Sequence, residues 1–175
     1  MAETFETMLT GGHPNSLGRT VEAVDAVLAE PARFGELFGC YRSTDEVVRL
    51  RVSNAMKRIE AERHDLLVPY LDRLIDEVGP LDQPSAQWTL AQLFQHLWAD
   101  MDERQRGDAR TIVKRNLAGH DDWIVLNASI DALRAWSVDD ADLRSWLLPH
   151  LDRLADDPRK SVASRARKAR AHLAS

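Results

Sequence analysis

Pro69-Tyr70-Leu71-Asp72-Arg73-Leu74 returns later in the chain as Pro149-His150-Leu151-Asp152-Arg153-Leu154. The copies stand about twice as far apart as the units of helix-pair repeat proteins, which run to roughly 40 residues. In each copy two leucines are three residues apart, a step that keeps both on one face of a helix. The hexapeptide therefore reads as the mark of a repeated helical unit.

Helical spacing fills the sequence on either side of it. Leu17, Val21, Val24 and Leu28 form one stripe, with Ser16 as its expected N-cap after a glycine-rich turn at residues 10–15. Residues 31–41 place Phe34, Leu37 and Phe38 on one face of a short helix. Ser43 and Glu46 have capping-box spacing and open a helix to about residue 63, whose inner face is Val48, Val52, Ala55, Met56 and Ile59. The first hexapeptide lies in an expected helix over 66–78, with Pro69 in the first turn, where a missing amide donor is tolerated. Gly79, Pro80 and Pro84 then break the chain. Further helices are expected over 85–99, 103–118, 122–136, 140–155 and 158–174, capped by Ser85, Asp102, Asp121, Asp140 and Asp157. No period-two alternation or hairpin signal is present, so the fold class is all-α.

A chain of 175 residues suits one domain, residues 1–175, with 1–15 as an N-terminal segment and turn and 158–174 as a basic C-terminal capping helix. At 44% hydrophobic and 29% charged it is too apolar for a disordered chain. The one cysteine, Cys40, has no partner for an internal disulfide. No apolar run approaches the roughly 20 residues of a membrane span, and the first ten residues lack the basic-then-apolar pattern of an export signal. A cytoplasmic protein without membrane contact is the expectation. The net charge of −5 is uneven: residues 158–175 carry Arg159, Lys160, Arg165, Arg167, Lys168 and Arg170 and no acidic side chain.

The second helices of the expected pairs align at intervals a little under 40 residues. Val48, Gln87, Val125 and Val162 share one position, Val52, Ala91, Ser129 and Ala166 the next, and Ala55, Phe94, Ala132 and Ala169 a third. The pattern resembles HEAT repeats, whose second helix reads Asp-x-x-Val-Arg-x-x-Ala-x-x-Ala-Leu. Asp45, Val48, Arg49, Val52, Ala55 and Met56 are the closest copy, whereas Leu126 and Ala163 stand where that pattern has Arg, and Gln87-Trp88 replaces Val-Arg. In particular the chain looks like small bacterial HEAT-repeat proteins with no assigned activity. The resemblance implies a right-handed α-α superhelix, a HEAT-like solenoid of about four to five antiparallel helix pairs with second helices lining its concave side. It implies no chemistry.

On that arrangement Arg51, Asn54, Arg58, Gln92, His96, Asn127, Asp131 and Arg134 are expected to face a groove suited to an extended peptide or helix. A second candidate is an anion site at His13, Asn15, Ser16, Arg19 and Thr20, where free amides, hydroxyls and a cation stand close in sequence. The six histidines are scattered without a ligand pair, so no metal, cofactor or catalytic residue is expected. The tryptophans at 88, 98, 123, 136 and 146 are expected mainly to pack. The function these features suggest is a non-enzymatic protein-binding module and scaffold that takes a partner segment in the groove. The alternative is a nucleic-acid-associated HEAT-like protein of the DNA-alkylation-repair type, acting through the basic helix over residues 159–170. The acidic remainder of the chain opposes it.

Overall fold

The computed structural model describes residues 1–175, and the chain is all-α. Its α-helical elements are α1 (Phe5–Leu9), α2 (Thr20–Ala29), α3 (Phe34–Gly39), α4 (Glu46–Glu62), the single turn α5 (Leu71–Arg73), α6 (Pro84–His96), α7 (Glu103–Gly119), α8 (Trp123–Trp136), α9 (Ala141–Leu154) and α10 (Lys160–Ala174). The chain divides into two compact units, Met1–Thr89 and Leu90–Ser175. None of the helices is long and apolar enough to cross a membrane.

In the first unit α1, α2 and α3 all pack against α4. The inner face expected of α4, Val48, Val52, Ala55, Met56 and Ile59, is entirely buried. Asp45, not Ser43, caps it: the carboxylate accepts from the Val47 amide at 2.8 Å, while the Ser43 hydroxyl accepts from the Asp45 amide. The consensus-like Arg49 donates to Gln83 Oε1 at 2.5 Å and to the Ser43 carbonyl at 2.6 Å, tying the start of α6 to the start of α4.

Two elements near the N-terminus differ from the sequence expectation. α2 begins at Thr20 rather than after Ser16, so Thr20, Ala23, Val24 and Val27 are buried while Leu17 and Val21 are exposed. A helix also forms at Phe5–Leu9, capped by Thr4, and its Phe5 amide donates to Glu36 Oε1 at 3.0 Å. Phe5, Met8 and Leu9 are buried at helical spacing, a signal too short to stand out in sequence.

The expected helix over 66–78 is broken. Single 3₁₀ turns at His64–Leu66 and Val68–Tyr70 lead into α5, and a π-helical stretch, Leu74–Val78, follows, closed by the Gly79 amide on the Leu74 carbonyl at 3.0 Å. Proline at 69 has no amide to continue the hydrogen-bond ladder from the preceding turn. Leu67, Leu71, Leu74, Ile75 and Val78 are nevertheless buried, because the wider π turn keeps an apolar face inward.

In the second unit α8 packs against α7, α9 and α10, and α10 also packs on α9. Asp102 and Gln105 form a reciprocal capping box at the start of α7. Asp122, one residue later than expected, caps α8, and Asp140 caps α9. α10 starts after Arg159 with no side-chain cap; Asp157 instead accepts from the Arg159 amide and guanidinium. α6 opens directly on Pro84, and Ser85, expected as a cap, is buried with its hydroxyl accepting from Gln83. The second hexapeptide lies in the C-terminal half of α9, with Pro149 inside the helix. All twelve side chains of the three aligned sequence positions are 3% exposed or less.

Candidate functional site

Small residues decide where a surface forms in the second unit. Val125, Ser129 and Ala132 of α8 lie at the same register as Val162, Ala166 and Ala169 of α10, and the two helices pack together. Short side chains along such a seam allow close approach, which brings the polar residues beside the seam within reach of each other. Asn127 Nδ2 donates to Ser161 Oγ at 3.4 Å, and Asp131 pairs with Arg165. Beyond that pair lie Arg134 of α8 and Lys168 and His172 of α10. Asp131, Arg134, Ser161, Arg165, Lys168 and His172 border a groove of about 550 Å³, and Asn127 touches its edge through Ser161. Arg134 and Lys168 form no ion pair, so the groove is basic although the chain as a whole is acidic.

Three of the eight expected groove residues, Asn127, Asp131 and Arg134, thus meet the basic helix here. The others lie elsewhere. Asn54 accepts from Arg58 Nε at 2.7 Å on α4. Gln92 is half-buried on α6. His96 borders a hollow of about 800 Å³ in the second unit, where Trp98 and Trp136 stack with ring centroids 4.3 Å apart. Arg106 donates to the Trp98 carbonyl at 3.1 Å and Arg110 bridges Glu103 and Asp140, so the cations around the indole stack are bound within the chain.

Arg51 is a correction. It is 1% exposed and faces no groove. Its guanidinium donates to four carbonyls: Leu9 and Gly11 at 2.6 Å, Ser16 at 3.1 Å and His13 at 3.2 Å. The N-terminal loop therefore folds its carbonyls around a cation, the inverse of the expected anion cradle. Its donors are also engaged. The Asn15 and Ser16 amides donate to His13, the Gly18 amide to Ser16 Oγ, and the Thr20 amide and hydroxyl to the Leu17 carbonyl. Arg19 pairs with Glu3 and Glu22, which raise its pKa. Gly11, Gly12 and Gly18 have φ of 77°, 76° and 51°, the left-handed region that glycine occupies freely.

On α10 most cations are held by the chain itself. Arg159 pairs with Asp157, Arg167 donates to the Ala155 carbonyl and Arg170 pairs with Asp152. Few are left to meet a phosphate backbone. No grouping of three or more His, Cys, Asp and Glu residues is placed to hold a metal ion. Cys40 is buried, and burial with Glu6 and Glu36 nearby pushes its thiol up to about 11, far from a reactive thiolate. Trp123 is the one exposed tryptophan, at the first position of α8. No family model, curated protein or solved structure matches the chain.

Proposed function

We propose that the chain is a non-enzymatic interaction module built of HEAT-like helix pairs, and that its second-helix surface on α8 and α10 binds an acidic segment of a partner protein. The basic groove carries this reading: Arg134 and Lys168, without carboxylate partners, flank the Asp131–Arg165 pair on an otherwise acidic protein. Opposite charge along a groove steers a partner and fixes its register. The repeat reading is supported by burial of all twelve aligned positions and by the packing of α7 on α8, α9 on α10 and α8 on α10, which is how successive pairs with adjoining second helices would meet.

The test is binding of a labelled peptide rich in Glu, Asp and Leu, followed by anisotropy against wild type and Arg134→Glu/Lys168→Glu. Both side chains lie at a groove border, so the double variant should keep its circular dichroism. Affinity should fall by at least about tenfold, and wild-type binding should weaken as salt rises. Equal affinity in a folded double variant refutes the reading.

A further inference from the structure

Two adjoining hollows in the first unit share Leu50, Ser85 and Trp88 as a common wall. The larger, about 250 Å³, has Val47, Leu50, Pro84 and Trp88 as its apolar lining. The smaller, about 120 Å³, is bordered by Asn54, Lys57 and Thr89, and no carboxylate lies in its wall. Ser53 and Ser85 also line it, with hydroxyls bonded to Tyr41 and Gln83, whereas Asn54, Lys57 and Thr89 keep donors without an acceptor. Lys57 forms no ion pair, and burial, with Arg58 adding, pushes its ammonium below the usual lysine range. Asn54 has its amide oxygen occupied by Arg58, which leaves its NH₂ to face outward partners. Thr89 is 1% exposed, and its hydroxyl makes no hydrogen bond. Buried hydroxyls in folded proteins nearly always have a partner.

We propose that this trough binds the C-terminal end of a partner polypeptide, the terminal carboxylate meeting Lys57, Asn54 and Thr89 and the last apolar side chain lying on Leu50 and Trp88. Charge selects the carboxylate: the small hollow offers the Lys57 cation, the neutral donors of Asn54 and Thr89 beside two bonded serines, and no acid. The apolar wall beside it selects a carboxylate attached to a hydrocarbon side chain over inorganic phosphate, which would leave Val47, Leu50 and Trp88 wet. The outer border selects a chain end over a free acid. Pro14, Asn15, Glu46 and Pro84, which rim the larger hollow, are all exposed, so a chain with its carboxylate at Lys57 has an open way out to solvent. The site lies on α4 and the start of α6, and stands or falls apart from the α8–α10 groove.

Calorimetric titration of the full chain with acetyl-Gly-Ser-Val-Leu, with the same peptide as its C-terminal amide, and with 4-methylpentanoate separates the outcomes. The free acid peptide should bind, and amidation, Lys57→Met and Thr89→Val should each weaken it by about tenfold, the expected loss for one hydrogen bond to a charged group. Thr89→Val removes a hydroxyl that has no partner and should leave the thermal midpoint unlowered, so its effect reports the ligand contact. Equal binding of the amide, unchanged binding by either variant, or no binding at millimolar peptide overturns the proposal. Binding of 4-methylpentanoate as tightly as the peptide overturns the assignment to a chain end.

Discussion

A Cβ placed on Gly18 would lie 2.8 Å from Cζ of Arg51. The loop thus lies against the guanidinium at a distance only glycine permits, and its φ of 51° also favours glycine. Gly18→Ala should therefore destabilise the chain twice over, by about 1 kcal/mol for the left-handed backbone and by about 1–3 kcal/mol for crowding a packed side chain. Arg51→Met leaves four carbonyls without their donor and should cost about 3 kcal/mol or more, since each buried acceptor left unsatisfied costs about 1–3 kcal/mol and part of the loop can rehydrate. Arg51→Lys should recover little, since a single ammonium lacks the planar fork that reaches all four oxygens. Urea unfolding measures all three, and a loss below about 1 kcal/mol for Arg51→Met would contradict the buried-clasp account.

Arg51 also shows where the sequence stopped being informative. Its place on α4, three residues after Val48 and four before Ala55, puts it on the flank of the buried stripe, and only its charge argued for solvent. Only a loop from more than thirty residues away buries it, and long-range closure leaves no periodic trace. Gly11 and Gly12 mark a turn while Gly18 falls inside the expected helix, and spacing does not reveal whether a turn aims amides or carbonyls inward. By contrast, the aligned Val, Ala and Ser positions of α4, α6, α8 and α10 were legible because burial follows directly from their helical interval. The basic groove was half legible: helical register marks Asp131 and Arg134 and composition marks the α10 cations, but only the packing of α10 on α8 joins them.

Asp131 is the only acidic side chain at the border of the basic groove, and its pair with Arg165 is exposed, 38% and 45%. Exposed pairs contribute little to stability, so Asp131→Asn should change it by no more than about 1 kcal/mol. The same change frees Arg165 and removes a negative charge from the surface. Affinity for the acidic peptide should rise several-fold, an effect that high salt erases. Weaker binding by Asp131→Asn would argue against an acidic occupant.

His150 lies tilted against Trp146, ring centroids 4.1 Å apart, and Lys114 Nζ lies 4.5 Å from the same indole. Burial holds the imidazole below its ordinary pKa of 6.5, and the charges of Arg153 and Lys114 add to the effect. The unfolded chain therefore takes up this proton more readily than the folded one. Stability from His150 is complete above about pH 6.5 and declines as pH falls from there toward the lower folded-state value. His150→Gln should flatten the slope of the urea midpoint between about pH 7 and pH 5. A second decline belongs to carboxylates and lies lower. Arg159 holds Asp157 at about 2, and Glu77 and Asp140 are also lowered, so their contribution is lost only as pH falls below about 4.

The two hexapeptides should respond oppositely to loss of their prolines. Pro69 is the second residue of a 3₁₀ turn, Val68–Tyr70, where no amide donor is required, and the following Tyr70 is held edge-on to Phe34 at 4.7 Å and against Phe38 at 4.9 Å. Pro149 stands in the interior of α9, where its ring removes one hydrogen bond and crowds the carbonyl of the preceding turn. Pro149→Ala restores a donor toward the Ser145 carbonyl and should stabilise the chain by about 1–3 kcal/mol, offset slightly by the greater freedom of the unfolded state. In a chain of this length that amounts to a rise in thermal midpoint of about 2–4 °C per kcal/mol. Pro69→Ala should be neutral or destabilise by less than about 1 kcal/mol, because proline there restricts only the unfolded chain. Thermal unfolding of the two single variants decides the matter, and an equal gain from both would mean that the first copy, like the second, is a helix interrupted by its proline.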